Sequence, residues 1–343
     1  MKKRCTLAMA MVGLFALTLL VFGSRAMAAD TYDWKLQSVW RTPVTQDGLR
    51  LFAENVKKAS KGKINIKVYS ANELVKIRAT FNAVQSGGIQ MGCSVGVYNA
   101  RMVPEAIVET GLPFGWSNWE EAWKAWTQYG IRDKVREAYA EKGVRLITVM
   151  PTAENCLMTT KPVRKVEDFK GMKIRTVGLT ANIFKKLGAS PTSIPGAEQY
   201  VALQRGTVSG TIFPVFVLDA YKLNEVIKYV VLPSVMSPPL MDIFMNLDLW
   251  NSLPPDMQKA IDDASTGHQE IMNKKYLNQG YSALGKFVMQ GIGEAIVLPD
   301  GEVKKIRKIA FEEWDKLGAK SPRLNALVKT MKQFMKDKGV EVQ

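Results

Sequence analysis

FKGMKIRT, Phe169 to Thr176, reads as a short strand entered through a glycine. Met172, Ile174 and Thr176 share one face and Lys173 and Arg175 the other, the period of two that a β-strand imposes. A helical pattern follows from Leu179 to Leu187. Then come a short strand near Thr192, a helix from Gly196 to Arg205 and the strand-like GTIFP, Gly210 to Pro214. Strands separated by helices predict parallel sheets in an α/β protein. The same stretch poses a chemical question, because Arg175 leaves the strand among apolar neighbours. Either it points to water or a structural carboxylate, or it is the receptor for a small anion.

The pattern holds on both sides of this unit. Upstream, Ile64, Ile66 and Val68 mark one strand, and IQMGCSVGV and VRLITVM mark two more. Thr42-Pro43 opens a helix with Leu49, Phe52, Ala53 and Val56 on one face, and Gly62 ends it. A second helix is expected from Leu74 to Ser86. Ser117 with Glu120 forms a capping box for a third, reaching about Lys142. After Met150 the pattern restarts with NCLMTT, and beyond GTIFP come YVVLP and LMDIFMNL. A long helical pattern then runs from Pro255 to Gln290, with Met257, Ile261, Ala264, His268 and Met272 spaced by three or four. About 36 residues span roughly 54 Å at 1.5 Å per residue, too long for one domain of this size, so the helix is expected to cross from one to another. Two amphipathic helices, Glu302–Leu317 and Leu324–Lys338, close the chain.

The first residues predict export. Lys2, Lys3 and Arg4 precede an uncharged apolar run, and Ala26-Met27-Ala28 supplies the small residues of a cleavage site before Ala29. The alternative is an uncleaved anchor, since the run is near bilayer-spanning length. The immediate cleavage site favours an exported, soluble protein without stable membrane insertion. Removing 28 of 343 residues leaves 315, and takes four basic residues and no acids, so the net charge falls from +15 to +11. The excess is scattered, without a run of five or six like charges. That argues for solvated helix faces and attraction of anionic ligands rather than nucleic acid. The remaining cysteines, Cys93 and Cys156, lie in apolar strand-like segments. They read as two buried thiols, with a disulfide between them as the alternative.

Most catalytic chemistry lacks its residues. The single histidine, His268, lies on an apolar helix side and reads as a core or interface residue. One histidine without a Cys-x-x-Cys assembles no zinc site. Neither a nucleophile elbow nor a phosphate-binding glycine loop is present. Trp119, Trp123 and Trp126 share a helix face and read as a packed stripe. Trp40-Arg41 and Tyr98 differ, since each follows a strand-like segment where an open α/β sheet presents its ligand crevice.

EDFKGMKIRT, LGASPTSIPGAEQYVALQRGTVSG and YVVLPSVMSPPLMDIFMNLDLWNSLPPDMQKAIDDA together resemble the extracytoplasmic solute-binding subunits of tripartite ATP-independent periplasmic (TRAP) transporters, the dicarboxylate-binding type. LFAENVKKASKGKINIKVYSANEL, FNAVQSGGIQMG and GLPFGWSN look like that family's opening segments. The similarity covers essentially the whole mature chain. It implies a two-lobe periplasmic binding protein fold of α/β class, with a ligand cleft between lobes and a long helix crossing both. Lobe I is expected at 29–152 plus about 239–277, and lobe II at 153–238 plus about 278–343, after a signal peptide at 1–28. It also implies closure around a small organic acid, delivery to TRAP membrane subunits, and no enzymatic turnover. The arginine of the K-I-R-T strand clamps the ligand carboxylate in that family, and Arg175 holds that position.

Three departures bear on the ligand. Where many members read Gly-x-x-Asp-Gly-x-Glu-Asn-Pro, this chain has GTVSGTIFP, with Ser209 for the aspartate and Ile212 and Phe213 for the glutamate and asparagine. The branch that binds keto acids through a metal uses a carboxylate at the position of Ile212, so neither a metal nor another cofactor is expected. Some members place a basic or amide group where Asn155 stands. One charge at Arg175, the Asn155 amide and apolar Phe213, with Tyr98 and Trp40 beside them, suggest a monocarboxylate with an apolar or aromatic body. Simple core packing is the alternative for Phe213. A dicarboxylate needs a second cation, for which Arg41 and Arg78 are the candidates. Two other readings share parts of the pattern: a periplasmic hydrolase or lyase on a similar scaffold, and a sensor partner that presents the ligand to a receptor.

Overall fold

A computed structural model describes residues 31–342 apart from Ser237. The expected signal peptide, 1–28, lies outside the described residues.

Eleven strands in the described residues form two sheets. They are β1 (Tyr32–Ser38), β2 (Ile64–Tyr69), β3 (Met91–Val95), β4 (Val144–Pro151), β5 (Asn155–Thr159), β6 (Lys173–Arg175), β7 (Ser190–Thr192), β8 (Gly210–Pro214), β9 (Tyr229–Met236), β10 (Leu240–Asn246) and β11 (Glu294–Val297). The first sheet has the order β2-β1-β3-β10-β4 and the second β11-β9-β5-β8-β6-β7. The fold is thus the expected α/β architecture in two halves, but the sheets are mixed rather than parallel. β10 runs antiparallel to β3 and β4, and β5 antiparallel to β8 and β9. The connections explain this. The chain leaves the first sheet through Thr152–Glu154 and returns through 238–239, and the two passages lie side by side, with the Thr152 N–H donating to Pro239 O at 3.1 Å. Strands joined to adjacent, oppositely directed passages enter their sheets antiparallel.

Three expected helices differ in their ends or continuity. The segment from Leu74 forms no helix until Ile77, because the Gln37 carboxamide oxygen takes the backbone N–H groups of Leu74 and Val75. The third helix is capped by Asn118, which accepts from the Glu121 N–H at 2.9 Å, rather than by Ser117 with Glu120. It stops at Gln128, and a second helix, Ile131–Ala140, starts after Gly130 at φ 71°. The long helical pattern is likewise two helices, Pro255–Ser265 and His268–Met289, separated by Thr266 at ψ 127° and Gly267 at φ 75°. Glycine adopts that left-handed conformation without strain.

The 22-residue second segment is the one that crosses, over about 33 Å. Near its start Gln269 donates to Thr148 of β4, and near its end Lys286 reaches Asp219 beside the second sheet. Midway, the buried Tyr276 hydroxyl meets Thr45 at 2.7 Å, and its ring packs 5.7 Å from Phe216. His268 is buried at 1% exposure, with Phe52 5.6 Å from its ring.

Of the last two helices, the first packs on both halves, its Phe311, Trp314 and Leu317 joining the core of the first half. The second packs on the first half. Asp300–Gly318 buries Val303 and Ile306 with Phe169, Ile174 and Phe184 of the second half. Pro322–Asp337 instead buries Leu327, Met331 and Phe334 with Val135 and Tyr139 of the first half. The final helix of the stretch 278–343 therefore packs with the half built on the first sheet. Its apolar stripe matches the face left open by Ile131–Ala140. Trp119 and Trp126 are buried in the same cluster and Trp123 is half-buried, while Cys93 and Cys156 are both buried free thiols.

Candidate functional site

Strand direction brings residues distant in sequence to one edge. β6 runs parallel to β8, so Arg175 at the end of β6 lies beside the Thr211–Phe213 stretch of β8. β5 runs the other way, which sets its first residue, Asn155, opposite Pro214 at the end of β8. From the first sheet, β1 ends just before Trp40 and β3 just before Val97 and Tyr98. Trp40 is fixed by its backbone, with its N–H donating to Ser38 Oγ and its carbonyl accepting from Gln46 Nε2. Gly96 lets the turn after β3 pack this tightly, because a Cβ there would sit 1.7 Å from the Ala106 carbonyl oxygen.

One cavity collects residues from both halves. Arg175, Asn155, Phe213, Tyr98 and Trp40 line it together with Val95, Val97, Thr110, Thr176, Ile212, Met236 and others. The free space is about 40 Å³, on a scale where one water needs about 10–15 Å³. That is room for a group of carboxylate size with the side chains where they stand. Trp40 stacks on Phe213 across the cleft, with centroids 6.1 Å apart at 29°.

Arg175 is 3% exposed. Its Nε donates to Ile194 O at 2.9 Å and its Nη1 to Ile212 O at 3.1 Å. The Phe213 ring covers the guanidinium face at 4.9 Å. A guanidinium carries five N–H donors, so three remain for the Tyr98 hydroxyl within reach and for a ligand. Burial pushes its pKa down, and the neighbours that pull it back are the Tyr98 and Tyr221 hydroxyls rather than an acid. No carboxylate of the described residues pairs with this buried charge. Asn155 is also under-satisfied, since its Oδ1 is buried without a partner and its Nδ2 meets only Met236 Sδ at 3.7 Å.

The two candidate second cations lie apart from this cavity. Arg78 is exposed, with its guanidinium 5.5 Å over the Tyr98 ring. It lines an adjoining outer cavity of about 380 Å³ that shares Val97, Tyr98, Thr176 and Val177 with the inner one. Arg41 lines neither cavity; its Nε is held by Ala71 O at 3.0 Å. Tyr221 and Thr110 were not singled out by the sequence. Tyr221 stands 6.2 Å from Phe213 and feels the charges of Arg175 and Arg41. Neither residue follows a strand end, so no local pattern marks it.

Beneath Thr110 lies a buried acid pair. Asp242 accepts from the Ser94 N–H at 2.7 Å, and from Asn99 Nδ2 and the Tyr139 hydroxyl at 2.6 Å each. Burial pushes up the pKa of both Asp242 and its neighbour Glu109. With three donors turned to Asp242, the proton belongs to Glu109.

The family signature described as bacterial extracellular solute-binding protein, family 7, matches residues 39–321. The monocarboxylate 2-oxoacid-binding periplasmic protein of a Nostoc strain is 26% identical over 309 residues, covering 88% of this chain and 84% of that one. Among solved structures, a TRAP periplasmic solute-binding protein of Pseudoalteromonas atlantica, with bound sodium and pyruvate, is 26% identical at a TM-score of 0.82 over 90% of this chain and 95% of its own. Another from Colwellia psychrerythraea, with bound calcium and pyruvate, shares the fold at 24% identity, with a TM-score of 0.83 over 90% of this chain and 95% of its own.

Proposed function

We propose, since the chain belongs to the bacterial extracellular solute-binding proteins of family 7, that it captures the carboxylate of a small organic acid on Arg175. The observation that carries this reading is a fully buried guanidinium, free of any acid partner among the described residues, with three N–H donors directed to neither Ile194 nor Ile212. A planar fork suits a carboxylate, and its contacts strengthen once closure excludes water. Asn155 supplies an uncharged partner for the same group. Binding is followed by delivery in the periplasm to TRAP membrane subunits, with no chemical turnover. Lobe I is the half built on the first sheet together with Pro322–Asp337, and lobe II the half built on the second.

The apolar lining favours an acid with an apolar or aromatic body. Trp40 and Phe213 stand where that body would press and occupy the space in this arrangement, with Tyr221 6.2 Å from Phe213. A thermal-shift panel tests this: benzoate and phenylacetate are expected to raise the melting temperature, and succinate and malate to leave it unchanged. Stabilisation by the dicarboxylates alone would reassign the site, with Arg78 at the outer cavity as the second cation.

The sodium and calcium of the pyruvate-bound neighbours belong to those proteins. Here the cavity lining among the described residues holds no carboxylate, Ile212 is buried, and a cation would face Arg175. These residues do not fit a metal. Affinity for the acid is expected to stay within about twofold after EDTA treatment, a change of roughly 0.4 kcal/mol or less. A tenfold loss restored by calcium would contradict this.

A further inference from the structure

A further cavity opens at the break between the two helical segments, at Ser265–Gly267. It shares no lining residue with the cleft around Arg175, and its free volume is about 420 Å³. That suits a ligand the size of an amino acid. Charges of both signs meet there. Arg132 and Arg136 come from the helix Ile131–Ala140, and Asp262 and Glu270 from the two helical segments flanking the break. Trp123 and Trp126 add an aromatic wall.

The arginines are incompletely matched. Arg136 donates through Nη2 to Ile147 O at 2.7 Å, but its Nε is buried without a partner. Burial, then the charges of Arg145 and Arg132, push its pKa down to about 10 against the weaker opposing pull of Asp262 and Asp133. Arg132 donates through Nε to the exposed Asp133 at 3.2 Å. Of the acids, Glu270 accepts from Trp119 Nε1 at 2.7 Å and Asp262 is exposed. A lone carboxylate would be drawn to the arginines but face two acids, and a lone amine the reverse.

We propose that this cavity is a second binding site for a zwitterion of the α-amino-acid type with an apolar or aromatic side chain. The carboxylate lies on Arg132 and Arg136, the ammonium toward Asp262 and Glu270, and the side chain against Trp123 and Trp126. Both charges of one molecule are thereby met, which neither single-charge analogue achieves.

L-Phenylalanine, 3-phenylpropanoate and 2-phenylethylamine are the probes, titrated calorimetrically into the Arg175→Ala protein so that the cleft does not contribute. Saturable phenylalanine binding is expected, with each single-charge analogue at least ~10-fold weaker, a difference of about 1.4 kcal/mol. Arg132→Gln and Asp262→Asn, both on exposed or half-exposed side chains, are each expected to weaken it ~5-fold or more while the melting temperature holds. Absence of saturable binding up to about 10 mM phenylalanine, a Kd range worth under about 3 kcal/mol, overturns the proposal. So does equal binding of an analogue, or indifference to both substitutions.

Discussion

Replacing Arg175 by alanine is expected to weaken binding of the organic acid at least ~30-fold while leaving the ligand-free protein folded. A micromolar ligand binds with about −8 kcal/mol. Losing a charge-assisted contact, and stranding the ligand carboxylate in a dry cavity, forfeits roughly 2–4 kcal/mol of that. Ligand-free stability changes little because two effects oppose. The variant loses hydrogen bonds to Ile194 O and Ile212 O. It also no longer buries a charge that has no acid partner among the described residues, and that desolvation is costly. Arg175→Lys is expected to cost at least ~10-fold, because an ammonium cannot hold both carbonyls and a carboxylate in one plane. Titration calorimetry on both variants, beside their thermal melts, checks this. Wild-type affinity in Arg175→Ala would remove the anchor. Lost affinity with a collapsed melt would make Arg175 a structural residue.

Most strands were legible because each carries its own signal, whereas β11, Glu294–Val297, was not singled out. Ile64, Ile66 and Val68 alternate in sequence and lie in β2, and GTIFP coincides with β8. What periodicity does not encode is direction. β10 has the apolar run of an interior strand whichever way it points, and its antiparallel entry follows from the passage beside Thr152. The break in the long helical pattern is hidden from periodicity for a related reason. Met257, Ile261, Ala264, His268 and Met272 keep helical spacing across Thr266 and Gly267, so the break does not disturb the apolar face.

The site was legible where a strand end announces it. Arg175 ends β6, Trp40 and Tyr98 follow β1 and β3, and all three reach one cavity. Tyr221 arrives through packing of the short helix Val217–Ala220 on the crossing helix, and nothing within ten residues of it signals that contact. Arg41 shows the limit of adjacency. It follows Trp40 directly, yet its guanidinium turns to Ala71 O. Successive residues of an extended segment point to opposite sides.

The crossing helix also makes stability depend on pH through His268. Its ring is 1% exposed, and both ring nitrogens lack partners among the described residues. Burial, and then the charge of Lys275, bring its pKa down from 6.5 to about 4. The position at a helix N-terminus disfavours the imidazolium further. Below pH 6.5 the unfolded chain takes up a proton that the folded chain refuses until about pH 4. Stability from this group is therefore complete above pH 6.5 and is lost as pH falls to about 4, by a total on the order of 3 kcal/mol. Glu109 works in the opposite sense. Burial raises its pKa above that of an unfolded carboxyl, so the folded state's cost of ionising it is relieved on acidification. A melt of the wild-type protein reports both groups together, whereas His268→Leu removes only one. The variant's advantage over wild type in urea unfolding is expected to grow by about 3 kcal/mol between pH 7 and pH 4. A difference that stays constant across that range would mean the imidazole accepts its proton inside the fold.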